Sequence, residues 1–241
     1  MRGRCKGRMW TVVVVLVFCP APRAQELRDL KTPAPLPPGS TLVIGFLGGY
    51  ERWNDEHRSV RQLVLRLRQW PGAYAESIEN HRRRLALKLI QHALDTNGDG
   101  RLDTEEKARA RVILFGQSWG GAAAVATAKD LEKLGVPVLL TVQVDSVGMH
   151  DEWIPANVRA AVNFYQHDPA TIQGRSRIRA ADAARTEILG NFESSYVFGA
   201  VDESNASWVR RTFGGSHAKM ELDPAVWARV EQYISDAMTR R

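Results

Sequence analysis

Cysteine is almost absent from this chain of 241 residues: there are two, Cys5 and Cys19, both close to the N-terminus. Long apolar runs are scarce as well. The N-terminal run Thr11 to Phe18 (TVVVVLVF) has eight residues, against the roughly 20 that a membrane-spanning helix needs. It follows Arg2, Arg4, Lys6 and Arg8 with no acidic residue among them, the charge and length pattern of a secretory leader. A signal peptide over residues 1–24 is expected, with cleavage after Ala24 and a secreted or periplasmic product. No permanent membrane span is expected after processing, and a retained anchor is the alternative for the same run. Removing residues 1–24 takes away Arg2, Arg4, Lys6, Arg8 and Arg23 and leaves 28 basic against 27 acidic residues. The remainder is almost neutral, so the basic balance of the whole chain argues for no nucleic-acid partner. Both cysteines leave with the leader. An exported chain would then rest on its core or on a bound metal rather than on a disulfide.

Residues 25–40 (QELRDLKTPAPLPPGS) contain four prolines and read as an extended, Pro-rich linker ahead of a single domain over 41–241. No internal repeat is present. Apolar runs of strand length lie at 41–46, 73–78, 111–115, 136–144 and 161–166, and helical patterns at 57–69, 79–94, 120–134 and 224–239. Strand and helix alternate, so the expected fold class is α/β, a mostly parallel sheet flanked by helices. The last helix has Asp223 as its cap and Pro224 in its first turn, where the missing N–H costs nothing.

Two motifs carry chemistry. Residues 111–135 (RVILFGQSWGGAAAVATAKDLEKLG) run from an apolar strand through Gly116-Gln117-Ser118-Trp119-Gly120 into an alanine-rich helix. This is the G-x-S-x-G turn in its strand-to-helix setting, which raises a serine oxygen above the sheet and aims the helix N-terminus at it. Ser118 is the candidate nucleophile, and the N–H of Trp119 a candidate oxyanion donor. A glycine-rich turn without chemistry is the plainer reading. Residues 95–106 (DTNGDGRLDTEE) match every position of the twelve-residue EF-hand loop. The ligands would be Asp95, Asn97, Asp99, the Arg101 carbonyl, Asp103 through water, and Glu106, with Gly100 at the sharp turn. Calcium is the expected cofactor. A structural clamp is expected rather than a sensor, because the exit helix at about 104–110 is short and no second loop pairs with this one.

From Thr41 to the C-terminus, about four-fifths of the chain, the sequence resembles the α/β-hydrolase family. The resemblance implies a chain order of nucleophile, acid, histidine. Asp145, ending the apolar strand 136–144, and Asp168, after the strand 161–166, are both candidates for the acid. Asp145 is favoured because it closes the more clearly buried strand and heads the turn Asp-Ser-Val-Gly. Chain order leaves His217, expected in a flexible loop before the last helix, as general base. The turn Gly45-Phe46-Leu47-Gly48-Gly49-Tyr50 would supply a second oxyanion donor, Leu47 or Gly48, although the family's usual His-Gly is missing. The implied activity is a serine esterase or lipase-like hydrolysis of a small-molecule or lipid acyl ester by Ser118, His217 and Asp145. The rival from another class is a non-catalytic, calcium-dependent binding protein on a hydrolase scaffold; a membrane-anchored partner protein is a third reading. Trp119, Trp153, Trp208 and Trp227 can line an acyl pocket or belong to the core. Arg175, Arg177 and Arg179 can hold an anionic substrate or form a solvated face.

Overall fold

The computed structural model describes residues 23–169, 172–197, 201 and 215–240. Six strands form one sheet: β1 (Thr41–Leu47), β2 (Ala73–Glu79), β3 (Val112–Gln117), β4 (Val138–Val144), β6 (Val158–Gln166) and β8 (Glu187–Ser194). Their order is β2-β1-β3-β4-β6-β8 and every neighbouring pair is parallel. Two short strands, β5 (Trp153–Ile154) and β7 (Arg179–Ala180), pair separately. The helices are α1 (Ser59–Leu67), α2 (Arg83–Leu94), α3 (Thr104–Ala108), α4 (Trp119–Lys133), α5 (Gly215–Leu222) and α6 (Pro224–Thr239). This is the α/β-hydrolase-like arrangement that the sequence leads one to expect.

The sheet is parallel because its central strands are apolar on both faces. All seven residues of β1 are buried, the pattern of a strand covered by helices on either side. Leu42, Ile44, Phe46 and Leu114 face a core built with α2 and α4, including Leu89, Ala124 and Leu131. Val43, Ile113, Phe115 and Val142 face a second core with α1 and α6, including Leu63, Val64, Trp227 and Val230. At Gly45 an added Cβ would come within 2.9 Å of both the Phe115 ring and Val60, so glycine there lets α1 settle on the sheet.

Three expectations are refined. The Pro-rich segment 25–40 lies on the domain instead of hanging free, because it carries leucines that the core accepts: Leu36 is buried, and Leu27 and Leu30 pack beside it. Polar contacts pin it as well. Glu76 Oε1 accepts the N–H of Thr32 at 2.8 Å, Leu36 N–H donates to the Ala93 carbonyl at 2.8 Å, and Gln25 Nε2 donates to the Ser77 carbonyl at 2.8 Å. β8 is an additional strand at the sheet edge; its half-buried residues give no clean apolar alternation. The helix expected from residue 79 begins at Arg83, since Glu79 still pairs with Leu47 in the sheet. Most of the expected leader, residues 1–22, lies outside the described residues. Among the described residues no helix is long and apolar enough to cross a membrane.

Candidate functional site

Ser118 sits between β3 and α4 with φ 54° and ψ −125°, a left-handed conformation that a non-glycine residue adopts only when its surroundings enforce it. The surroundings do so. An added Cβ at Gly116 would strike the Gly120 backbone, and one at Gly120 would strike the Phe46 carbonyl, so both glycines of the motif are needed for the chain to turn here. Ser118 N–H donates to the Val144 carbonyl at 2.9 Å, which ties the turn to the end of β4. Trp119 is the first residue of α4, where a backbone N–H has no acceptor within the helix.

Three residues from three separate elements meet at this turn. His217 Nε2 stands 3.0 Å from Ser118 Oγ, and His217 Nδ1 stands 2.6 Å from Asp145 Oδ2. Asp145 is fully buried with φ 44°. Its Oδ1 accepts N–H groups from Gly174 at 2.9 Å and Gln166 at 3.3 Å, and its Oδ2 accepts Gln166 Nε2 at 3.1 Å. These donors compensate the charge of a carboxylate withdrawn from water. An added Cβ at Gly174 would run into the Asp145 backbone, so only glycine lets that loop close over the acid. With Asp145 accepting at Nδ1, the imidazole keeps its proton there and presents the Nε2 lone pair to the serine hydroxyl.

His217 lies in the helix α5 rather than in the flexible loop expected for it; the helix opens at Gly215, whose φ of 49° starts the turn. Asp168 stays away from the imidazole. It accepts Ser195 Oγ at 2.7 Å and the Tyr196 N–H at 2.6 Å. Burial opposes its ionisation most strongly, yet these donors, the Ser216 hydroxyl and the Lys219 ammonium together hold its carboxyl below the ordinary range. Ser216 and Lys219 flank His217 on α5. Asp168 thus joins the end of β8 to the helix that carries the histidine. Tyr196 Oη completes the join by donating to Asp223, the cap of α6, at 2.8 Å.

The turn after β1 lies against the nucleophile: an added Cβ at Gly48 would be 3.3 Å from Ser118 Cβ. The Gly48 N–H donates to Glu51 Oε2 at 3.1 Å, and the Leu47 carbonyl accepts Asn80 Nδ2 at 3.0 Å. Of the two donors expected here, Gly48 therefore has its hydrogen committed. Gln117 escapes notice in the sequence because it fills a variable place of the motif. It is 1% exposed, its Nε2 is 3.3 Å from His217 Nε2, and its Oε1 is buried with no hydrogen-bond partner among the described residues.

Of the tryptophans, Trp227 is core and stands edge-on to Phe115. Trp119 is half-exposed beside the serine and meets Tyr50 edge-on at 5.4 Å. Trp153 is half-exposed under the guanidinium of Arg179, and Trp208 lies outside the described residues. Arg175 is engaged with Asp151 at 2.8 Å, whereas Arg177 is exposed.

The loop 95–106 joins α2 to α3. Asp95 accepts the N–H groups of Gly98 at 2.8 Å and Gly100 at 2.9 Å, Asn97 that of Asp99 at 2.9 Å, and Asp99 that of Arg101 at 2.8 Å. Glu106 reaches back across the loop to the N–H groups of Thr96 at 2.7 Å and Asp103 at 3.0 Å. The Asp103 amide leads the hydrogen bonds that lower the Glu106 carboxyl from its ordinary range. The donor set is all oxygen, and Glu106 Oε1 accepts the Thr96 hydroxyl at 3.0 Å and the Asn97 N–H at 3.2 Å as well. Among the described residues, however, no three His, Cys, Asp or Glu side chains gather as a ready metal cage.

No family model and no curated protein matches this chain. Solved structures do. A cutinase-like protein from Cryptococcus sp. is 12% identical, with 83% of this chain and 95% of that one covered and a TM-score of 0.46. RedJ thioesterase, from the prodiginine biosynthetic pathway in Streptomyces coelicolor, is 10% identical over 92% and 98%, TM-score 0.44. A dienelactone hydrolase-like promiscuous phosphotriesterase, P91, from metagenomic libraries is 16% identical over 86% and 87%, TM-score 0.42.

Proposed function

We propose that the protein is an exported serine hydrolase that cleaves carboxylic esters. One observation carries this reading: a serine held at positive φ is hydrogen-bonded to a histidine whose other nitrogen meets a buried carboxylate. Ser118 Oγ attacks the ester carbonyl while His217 Nε2 takes its proton. The Trp119 N–H and a backbone donor from the turn at Leu47 receive the negative charge that forms on the carbonyl oxygen. Asp145 holds the Nδ1 proton and stabilises the imidazolium. His217 then returns its proton to the departing alcohol, leaving an acyl group on Ser118, and the same steps with water release the acid.

The surface around the serine favours an apolar acyl group. Tyr50, Trp119, Met149, Ile172 and Val197 are exposed, and they follow the carboxyl ends of β1, β3, β4, β6 and β8 in turn. Large apolar side chains left in water on the rim of a reactive serine suit an ester with a hydrocarbon portion. The test is labelling by a fluorophosphonate, which captures an activated serine. Wild type is expected to label, and Ser118→Ala and His217→Ala to lose it. An unlabelled but folded wild type overturns the reading.

The leader over residues 1–24 and a calcium ion belong to the same proposal. Intact mass of the exported product should lack residues 1–24. Calcium would be held by Asp95, Asn97, Asp99, the Arg101 carbonyl, Asp103 and Glu106, drawing those side chains together and stiffening the joint between α2 and β3. It takes no part in the ester chemistry. Calorimetry should show uptake by wild type and a raised Tm, with Glu106→Gln much weaker; no heat and no change in Tm would refute it.

A further inference from the structure

A cavity of about 1190 Å³ opens at the end of the sheet where β1, β3 and β4 begin. This is the end opposite Ser118. Arg111 precedes β3 and Ser118 follows it, and at about 3.3 Å per residue the six residues of that strand separate them by roughly 20 Å. An acyl group attached to Ser118 lies at the other end.

The cavity has an apolar floor, to which Leu36, Leu94 and Val138 contribute, and a cationic rim. Two acidic residues line it, and both are engaged: Glu106 with the amides of its own loop, and Glu132 with the Ala156 N–H at 2.9 Å. Two of its basic residues are also engaged. Arg109 pairs with Glu105 at 3.1 Å, and Arg111 donates to Thr41 Oγ1 at 3.1 Å and to the Met238 carbonyl at 2.6 Å. The side chains of Lys107, Arg159 and Arg185 have no acceptor among the described residues. Three unpaired cations about a concave, low-dielectric wall concentrate positive potential there. Among the described residues no aromatic ring lines the cavity, and they offer no stacking surface for a nucleobase. Bare phosphate would leave the apolar floor uncovered.

We propose that this cavity binds an amphipathic anion, an alkyl carboxylate or alkyl phosphate. Its head lies on Lys107, Arg159 and Arg185 and its chain on Leu36, Leu94 and Val138. The volume is ample, since ligand pockets commonly span about 300–1,000 Å³. The site is independent of the chemistry at Ser118, and the wall formed by Thr96, Thr104 and Glu106 places it against the 95–106 loop.

Calorimetry on the full chain tests it with four probes below their micellar concentrations. Octanoate and octyl phosphate carry head and chain, inorganic phosphate the head alone, and octyl glucoside the chain without charge. Both octyl anions should bind one to one, and the stronger of them identifies the head group. Phosphate and octyl glucoside should each bind at least about tenfold more weakly, which is about 1.4 kcal/mol. The double variant Lys107→Glu/Arg185→Glu, at a half-buried and an exposed side chain, should lose at least about tenfold for the octyl anions while still melting cooperatively, and Arg159→Ala should weaken them too. Octyl glucoside or phosphate binding as tightly as the octyl anions overturns the proposal. So does wild-type affinity in the charge-reversed variants, or no heat with either octyl anion.

Discussion

Gln117 shows how one side chain can bear on the proposed chemistry without meeting the substrate. With Nδ1–H given to Asp145, His217 Nε2 has a single lone pair, and both the Ser118 hydroxyl and the Gln117 amide stand beside it, at 3.0 and 3.3 Å. Once the imidazole is protonated, that contact needs an acceptor, and the Gln117 Oε1, buried and unpartnered among the described residues, becomes one if the amide turns over. Gln117→Leu keeps the volume and removes the amide. Its kcat should fall about five- to tenfold, the loss of one ordinary hydrogen bond, with KM unchanged and the acid limb of the pH profile moved. Unchanged kcat and profile would leave Gln117 as filling. The serine and its glycines were legible in the sequence as a motif, and Asp145 as a candidate that ends an apolar strand, while His217 came only from the chain order that the resemblance implies. Gln117, Gln166 and Gly174 were not, because their roles exist only where distant segments touch.

At the level of elements, Asp168 is a joint between β8 and α5. Its carboxyl is lowered in the folded chain, so the stability it contributes is complete above the unfolded value of about 3.9 and is lost as pH falls through the lower folded value. Asp168→Asn should therefore melt below wild type at neutral pH, with the gap closing under acid conditions as wild type takes up the proton. Melting curves from pH 7 to pH 2 measure this, and a gap independent of pH would separate the residue from the joint. The elements themselves were legible in unequal measure. Runs such as VILF in β3 and LVIGFL in β1 read as strands because both faces are covered. β8, with Gly190 and mixed polar residues at the edge, carried no such signal. The docking of 25–40 was hidden by its prolines, although its leucines are what hold it.

The whole molecule presents two ends. One carries the serine with its apolar rim, the other the cationic cavity, and the parallel sheet keeps them apart. Alternating strand and helix made this layout foreseeable, since ligand sites of such sheets gather at the strand carboxyl ends. The opposite cavity was not foreseeable, because its rim comes from segments as far apart as Lys107 and Arg185.

Ser118 and His217 are separated by 99 positions and Asp145 and His217 by 72. These two contacts therefore close large loops, and such closures are late and slow in folding. On the proposed mechanism, reactivity toward a fluorophosphonate would be a clock for the final docking step. After dilution from denaturant, labelling should lag behind the recovery of helical circular dichroism, and a chain trapped short of that step should look folded by helicity while remaining inert. Labelling that keeps pace with helicity would mean that the long-range contacts form with the local ones.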